Sequence, residues 1–265
     1  MSIRRLLRGD IPEHVLQDVA REAADRYDQE FQSVELLEAD NWLSTPCVVN
    51  DSLFLKIITS QNSLVHGLLT TGRNIGMFSS GTEGFFEHFR TPFEMAEHEL
   101  WATRQMRSLG VNAPEPLEAF EYDDLGVLVL EYLPSFETLD MLDREQVENL
   151  TPELFDSLSK MHDSGLVHGD LRSENVLVSD GHIYFIDATK VRGDAIEDAR
   201  AYDIACALAA LEPLIGARTA VSIADDYYSN DELVDAERFL DFVNIRPDHD
   251  FDAQAVRGEI TKRAS

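Results

Sequence analysis

The sequence predicts an α+β fold in which a small antiparallel sheet comes first and a mainly helical region follows. Three short apolar runs, at 34–38, 46–49 and 53–58, are separated by turn-forming residues, as in an antiparallel three-strand start. Later apolar residues recur at helical spacing along 95–109 and along 154–161. With 44% hydrophobic residues, a chain of 265 residues can bury the core of one large domain or of two lobes.

The chain is strongly acidic: 50 Asp and Glu residues against 22 Lys and Arg residues give a formal net charge of −28. The acids are spread from Asp10 to Glu259 rather than gathered into one block. This distribution resembles the solvated surface of haloarchaeal proteins and disfavours an acidic tail that docks a basic partner. Because phosphate contacts need clustered Lys and Arg, no broad nucleic-acid-binding patch is expected.

Nothing in the sequence indicates export or membrane insertion. It contains no run of about 18 uncharged apolar residues, and its first ten residues lack an apolar core and a small-residue cleavage site. We therefore expect a cytoplasmic protein without a membrane partner. Cys47 and Cys206 lie in apolar contexts, which are more typical of buried thiols than of a disulfide or a metal pair.

The most informative segment is 167–187, because it spaces three oxygen-bearing side chains as phosphoryl transfer requires. That reaction needs one carboxylate to orient the acceptor and oxygen ligands that hold Mg²⁺ against the phosphates. Asp170, Asn175 and Asp187 are residues of these types. A hairpin turn at 179–181 would join the two apolar strands of this segment, so Asn175 and Asp187 are expected to converge.

The pattern His-Gly-Asp-Leu-x-x-x-Asn followed by Ile-Asp resembles the loops of RIO-type atypical serine/threonine protein kinases and their Bud32-like relatives. The resemblance implies a two-lobed protein-kinase-like fold over roughly 34–240, with ATP and Mg²⁺ (or Mn²⁺) as cofactors. It implies that Asp170 is the catalytic aspartate and that Asn175 and Asp187 are metal ligands. Aminoglycoside and choline phosphotransferases share the first motif, so the acceptor remains open.

A buried ion pair is expected between a strand and the helix that follows it. Lys56 lies inside an apolar strand, where an ammonium is unfavourable unless it reaches a partner. Glu99 falls on the apolar stripe of a helix that Thr91 and Pro92 begin and Gly110 ends. An acid on a buried face requires a cation, and in kinases this Lys–Glu pair holds the ATP phosphates. The alternatives are an outward-facing lysine and a surface glutamate.

Two further segments resemble the nucleotide-binding parts of a kinase. The predicted loop 39–45 contains no glycine, so backbone amides would approach phosphate less freely, although Ser44 and Thr45 can donate hydroxyl groups. The apolar run that ends at 134 resembles the fifth strand and hinge. The resemblance places the adenine ring against the backbone from Glu131 to Leu133.

The remaining expectations concern the catalytic loop and its surroundings. Arg172 replaces the serine or threonine usual in RIO and Bud32 sequences, and a fixed cation there would stabilise the transferring phosphoryl group. No Ala-Pro-Glu segment follows Asp187, so the ordinary activation segment is expected to be missing. The resemblance implies a flexible loop at about 60–91, because RIO-type proteins carry such a loop there and often phosphorylate it. Within it we expect a short helix from Leu64 to Thr70, and Ser79 and Ser80 are candidates for self-phosphorylation.

The predicted organisation has three parts: an N-terminal helix in 1–30, an N-lobe in 31–133 and a C-lobe with a short tail in 134–265. In the C-lobe we predict one helix from Thr151 to His162. A second helix is predicted to begin at Asp203, which either braces the catalytic loop or is an ordinary carboxylate at a helix start.

The sequence therefore favours a RIO-like kinase that transfers phosphate from ATP to a protein acceptor or to itself. In RIO proteins the aspartate at the Asp187 position can itself accept phosphate, so an ATPase switch is a variant of this hypothesis. A small-molecule phosphotransferase and a non-catalytic nucleotide sensor are the alternatives. The resemblance alone implies a ribosome-related partner.

Overall fold

The computed structural model describes residues 11–37, 44–77, 84–246 and 249–264. Two compact units interleave along the chain. Unit 1 consists of residues up to Thr71, His88–Arg104 and Pro114–Pro134. Unit 2 consists of Gly72–Glu87, Gln105–Ala113 and the residues from Ser135 onward.

The helices and strands follow one another in the order of a small sheet and then a helical region. As far as Pro134 they are α1 Glu13–Arg26, β1 Val34–Leu36, β2 Thr45–Val49, β3 Leu53–Ile58, α2 Ser60–Met77, α3 Pro92–Ser108, β4 Pro116–Tyr122 and β5 Leu125–Glu131. Beyond it they are β6 Glu137–Thr138, α4 Arg144–Asp163, β7 Val176–Ser179, β8 His182–Phe185, α5 Ile196–Ile215, α6 Ala217–Ala224, α7 Asn230–Glu237, α8 Leu240–Ile245 and α9 Ala253–Ala264. The predicted α+β class, with a small antiparallel sheet first and a mainly helical region after it, is confirmed.

Unit 1 is built on an antiparallel sheet in the order β1-β2-β3-β5-β4. Both faces of this sheet are covered, which explains the uninterrupted apolar run of β5. Val127 and Val129 pack into the cluster that contains α1, whereas Leu128 and Leu130 pack into the cluster that contains the start of α3. The three strands predicted at the start of the chain are confirmed as β1, β2 and β3.

The helix within the predicted loop at 60–91 is much longer than the expected 64–70, because Ser60–Met77 forms the 18-residue helix α2. Its start is fixed by a reciprocal cap: the Thr59 N–H donates to Asn62 Oδ1 over 2.9 Å, and the Asn62 N–H donates to Thr59 Oγ1 over 3.1 Å. This cap has asparagine at the third helical position, where a capping box usually has glutamate or glutamine, so the sequence pattern did not indicate it. Ser79 and Ser80 lie outside the described residues, as do 39–43 of the predicted nucleotide loop.

Two predicted helix starts in the C-terminal half are wrong. Helix α4 begins at Arg144 rather than Thr151, because Asp143 and Gln146 form a capping box. The Thr151 hydroxyl donates to Val147 O over 2.7 Å, within the helix. Helix α5 begins at Ile196, so Asp203 lies in its middle and is fully buried.

The small sheet of unit 2 joins β6, β7 and β8 in that order. Asp180 and Gly181 connect β7 to β8, and their φ angles of 51° and 77° are typical of a type I′ hairpin turn, which confirms the predicted hairpin. Cys47 and Cys206 are buried free thiols, as predicted. Within the described ranges, every helix is too short or too polar to cross a bilayer.

Candidate active site

The predicted Lys56–Glu99 ion pair is present in unit 1. Lys56 lies opposite Leu128 in the β3–β5 register, and directly opposed residues share a face, so its side chain is on the face that α3 covers. Lys56 Nζ lies 2.7 Å from Glu99 Oε2, and the two residues are 7% and 9% exposed. The alternatives of an outward lysine and a surface glutamate are thereby excluded.

The other predicted nucleotide-binding residues of unit 1 flank this pair in the sheet. Thr45 is the first residue of β2 and lies opposite Ile57, and Ser44 precedes it; both are buried. Glu131 ends β5 with an exposed side chain, and its N–H donates to the Glu115 carbonyl over 2.9 Å. Leu133 is half-buried. Their roles toward a nucleotide stay predictions.

In unit 2 the buried imidazole of His168 connects the two motif loops. Its Nε2 lies 2.8 Å from the Ile186 carbonyl, and its Nδ1 accepts the Asp170 N–H over 3.4 Å. Burial lowers the pKa of His168, although Asp203 and Asp170 partly oppose this shift. The ring is therefore neutral at neutral pH, with its proton on Nε2, and it ties the backbone at Asp170 to the residue before Asp187.

The glycine of the His-Gly-Asp motif is required by the backbone. Gly169 has a φ of 76°, in the left-handed region that other residues rarely adopt. A Cβ at this position would lie 2.4 Å from Thr189 Cγ2. The Thr189 N–H also donates to the His168 carbonyl over 2.8 Å, which holds the two loops at this close separation.

Asp203 braces the loop that carries Asp170, which is one of the two roles predicted for it. Its Oδ2 accepts the His168 N–H over 2.5 Å, and its Oδ1 accepts the Gly169 N–H over 2.7 Å. Nε2 of His162, which is also fully buried, lies 3.3 Å from Oδ2. These bonds fix the backbone immediately before Asp170.

The predicted metal ligands have neighbouring backbones. The Ile186 N–H donates to the Asn175 carbonyl over 3.1 Å, so Asp187 follows a residue bonded to Asn175. Asn175 Nδ2 donates to the Asp170 carbonyl over 2.8 Å, which directs the nitrogen to the loop and leaves Oδ1 as the acceptor atom, 3.4 Å from Arg172 Nη2. Across the described ranges, no group of three His, Cys, Asp or Glu residues could hold a metal. An amide and a carboxylate fit a Mg²⁺ ion that takes its remaining ligands from phosphate and water.

Three arginines surround the Asp170 carboxylate. Oδ1 contacts Arg73, on α2, and lies 2.8 Å from Arg246 Nη2; Oδ2 lies 3.6 Å from Arg172 Nε. Burial alone would raise the pKa of Asp170, but the three guanidinium groups outweigh it and hold that pKa well below its usual range. The carboxylate is thus an ionised hydrogen-bond acceptor and a weak base.

Sequence reasoning identified Arg172 but missed the other two cations. Arg73 and Arg246 are 97 and 76 residues from Asp170 along the chain. No local pattern marks either of them, because Arg73 is a single arginine within α2 and Arg246 is a single arginine directly after α8. Only the fold of unit 2 brings them to Asp170.

Comparison with known proteins relates this site to a kinase family. Residues 87–202 match the RIO domain. The chain is 31% identical over 115 residues to the KEOPS complex subunit Bud32 of Pyrococcus abyssi, covering 42% of this chain and 51% of that protein. It is 29% identical over 101 residues to the serine/threonine-protein kinase cds1 of Schizosaccharomyces pombe, covering 36% of this chain and 22% of that protein. The chain thus spans about half the length of the first relative and about a fifth of the second.

Similar solved structures include the PAN3 pseudokinase of Drosophila melanogaster and WbdD bound to the kinase inhibitor LY294002. The first has a TM-score of 0.45 and 14% identity, with 89% of this chain and 67% of that chain covered. The second has a TM-score of 0.45 and 18% identity, with 89% of this chain and 46% of that chain covered.

Proposed function

We propose, from the RIO-type domain at residues 87–202, that this chain is an atypical serine/threonine protein kinase that uses ATP. The observation that carries the proposal is the loop that Asp203 braces. In it Asn175 Nδ2 donates to the Asp170 carbonyl, and the N–H of the residue before Asp187 donates to the Asn175 carbonyl. Phosphoryl transfer uses an ionised carboxylate, an amide oxygen and a second carboxylate, which are the groups of Asp170, Asn175 and Asp187.

In this proposal unit 1 supplies the contacts to ATP. Lys56, oriented by Glu99, contacts the phosphates, and Ser44 and Thr45 provide hydroxyl donors near the same strand ends. The adenine edge lies against the backbone from Glu131 to Leu133. Because the Glu131 N–H already donates to Glu115, we assign the donor to adenine to the Leu133 N–H.

Unit 2 supplies the chemistry. Asn175 and Asp187 would hold Mg²⁺ or Mn²⁺, which neutralises phosphate charge when bound. The acceptor oxygen forms a bond to the γ-phosphorus while the bond from phosphorus to the β,γ-bridging oxygen breaks, and ADP leaves. Since its pKa is low, Asp170 orients the acceptor hydroxyl, and the acceptor's proton passes to an oxygen of the transferred phosphoryl group. Arg172 stabilises the charge on that group.

The acceptor is a protein partner or the chain itself. Bud32 of Pyrococcus abyssi is a subunit of the KEOPS complex, so a related assembly is the first partner to test. A ribosome-related partner is implied by family resemblance alone. The spread of acidic residues supports a cytoplasm with high salt as the working environment.

The test follows ADP production and label transfer from γ-labelled ATP, with Mg²⁺ in multimolar KCl. Label incorporated by the wild type and lost in Asp170→Ala would support the kinase. ADP without label would favour the ATPase switch or a small acceptor absent from the assay. ATP binding with neither product would refute the enzyme proposal. Asp194→Ala, which changes an exposed aspartate, is the matched control.

A further inference from the structure

Two adjacent residues of α5 support the catalytic loop in different ways. Asp203 accepts hydrogen bonds from the loop backbone at His168 and Gly169. Tyr202 accepts a hydrogen bond at its hydroxyl oxygen from Arg246 Nη1, and Arg246 Nη2 donates to Asp170 Oδ1 over 2.8 Å. One helix therefore contacts the loop's backbone directly and the side chain of its aspartate through an arginine.

Arg246 is held more rigidly than the other two arginines at Asp170. Its side chain is 6% exposed, against 22% for Arg73 and 26% for Arg172. It directly follows α8, where its N–H donates to the Val243 carbonyl over 3.1 Å. Of the three arginines, Arg246 is therefore the one most enclosed by protein.

A guanidinium group suits this bridging position and an ammonium does not. Its planar fork fixes the directions of Nη1 and Nη2, so one side chain can hold a hydroxyl and a carboxylate in a set relation. Burial raises the pKa of Tyr202 well above its usual value, so the phenol stays neutral and Asp170 is the anion that pairs with the guanidinium. Burial of such a cation is unfavourable unless it is paired in this way.

We propose that Arg246, anchored by Tyr202, is a positioning residue that fixes the orientation of the Asp170 carboxylate for phosphoryl transfer. This inference rests on the proposed kinase function and adds to it a support for Asp170 that acts on the side chain. Tyr202 acts only through Arg246, and neither residue is among those assigned to ATP in the proposed function.

The experiment is a double-mutant cycle on turnover with Arg246→Met and Tyr202→Phe. Because misplacing a reacting group by about 1 Å costs ~100-fold in rate, we expect Arg246→Met to lower kcat by ~10- to 100-fold. The KM for ATP should change by less than about threefold, since uniform binding is untouched. Tyr202→Phe should lower kcat by a smaller factor and add no further loss in the Arg246→Met background. Arg246→Lys should recover part of the loss, because it restores the charge but not the fork.

Arg238→Met is the matched control, because Arg238 is a more exposed arginine whose Nη2 lies 2.6 Å from Asp198 Oδ1. It should leave kcat and KM unchanged. Multiplicative losses from Arg246→Met and Tyr202→Phe, or a rise in the KM for ATP that matches the fall in kcat, would overturn the proposal. If circular dichroism shows that Arg246→Met does not fold, Tyr202→Phe decides the matter. A kcat of Tyr202→Phe equal to that of the wild type would then overturn the proposal.

A wild type without turnover would refute the kinase function rather than the contact. The unfolding midpoints of Arg246→Met, Asp170→Asn and the double variant then test the contact alone. Non-additive midpoints support the bridge from Arg246 to Asp170. Additive midpoints overturn it.

Discussion

Replacing Asp203 with asparagine tests the brace of the catalytic loop most directly. The two carboxylate oxygens accept the N–H groups of His168 and Gly169 at 2.5 and 2.7 Å, in a fully buried site. Asparagine keeps the shape but turns one oxygen into an NH₂ group, which faces a backbone donor. One charge-assisted hydrogen bond is lost, worth ~1.5–3 kcal/mol, and one buried N–H is left unsatisfied, at a cost of ~1–3 kcal/mol. We expect the free energy of unfolding to fall by ~3–5 kcal/mol, from a typical total of ~5–15 kcal/mol.

Urea unfolding in constant KCl, followed by circular dichroism, measures this change. Asp198→Asn is the control, because Asp198 lies on the same helix but is 33% exposed, with its Oδ1 2.6 Å from Arg238 Nη2. An exposed pair of this kind contributes ~0–1 kcal/mol. The reasoning is refuted if Asp203→Asn unfolds within about 1 kcal/mol of the wild type, or if Asp198→Asn loses as much.

Three further predictions follow from single contacts. Lys56→Met removes the ammonium that neutralises Glu99 and should lower the free energy of unfolding by ~3–5 kcal/mol, which urea unfolding measures. An ATP affinity equal to that of the wild type would contradict the phosphate role of Lys56. Burial lowers the pKa of His168 from 6.5, so the unfolded chain binds more protons below that pH. The free energy of unfolding should therefore fall as pH drops below about 6.5. Measured at several pH values, it should depend less steeply on pH in His168→Gln than in the wild type. Gly126→Ala would place a Cβ 2.3 Å from a backbone oxygen at the start of α3 and should cost ~1–3 kcal/mol or more. Gly258 lies in α9, where an added Cβ would have no atom within 4 Å beyond its own helix backbone and chain neighbours. Gly258→Ala should therefore be neutral or stabilising in the same assay.

The parts of the site that the sequence predicted correctly rest on local patterns. Glu99 was recognisable because it interrupts an apolar stripe at helical spacing, and Lys56 because it interrupts an apolar strand. Each pattern implies burial, and two buried opposite charges on neighbouring elements imply a pair. The closeness of the Asn175 backbone to the residue before Asp187 followed in the same way from the hairpin turn predicted at 179–181.

The errors occurred where two local signals competed or where only tertiary contact decides. Thr151 and Pro152 resemble a helix start, but the capping box at Asp143 lies upstream, and α4 continues through the proline. The start of α2 depends on asparagine in a position where glutamate or glutamine is the usual signal. Arg246 reaches Asp170 only because α8 packs against α5, and nothing in its flanking residues encodes that contact.

The arginines around Asp170 also bear on how an acidic protein can use an anionic substrate. Under the proposed function, a net charge of −28 would repel ATP, and multimolar salt would shorten the reach of that repulsion to ~3 Å or less. Salt also weakens exposed ion pairs. The Arg246–Asp170 and Lys56–Glu99 contacts are buried, so they are screened much less. The Arg246–Asp170 and Lys56–Glu99 contacts are therefore expected to persist at high salt, whereas the solvated carboxylates need salt to screen their mutual repulsion. This separation allows the same chain to carry an extreme surface charge and an ordered cluster of cations at Asp170.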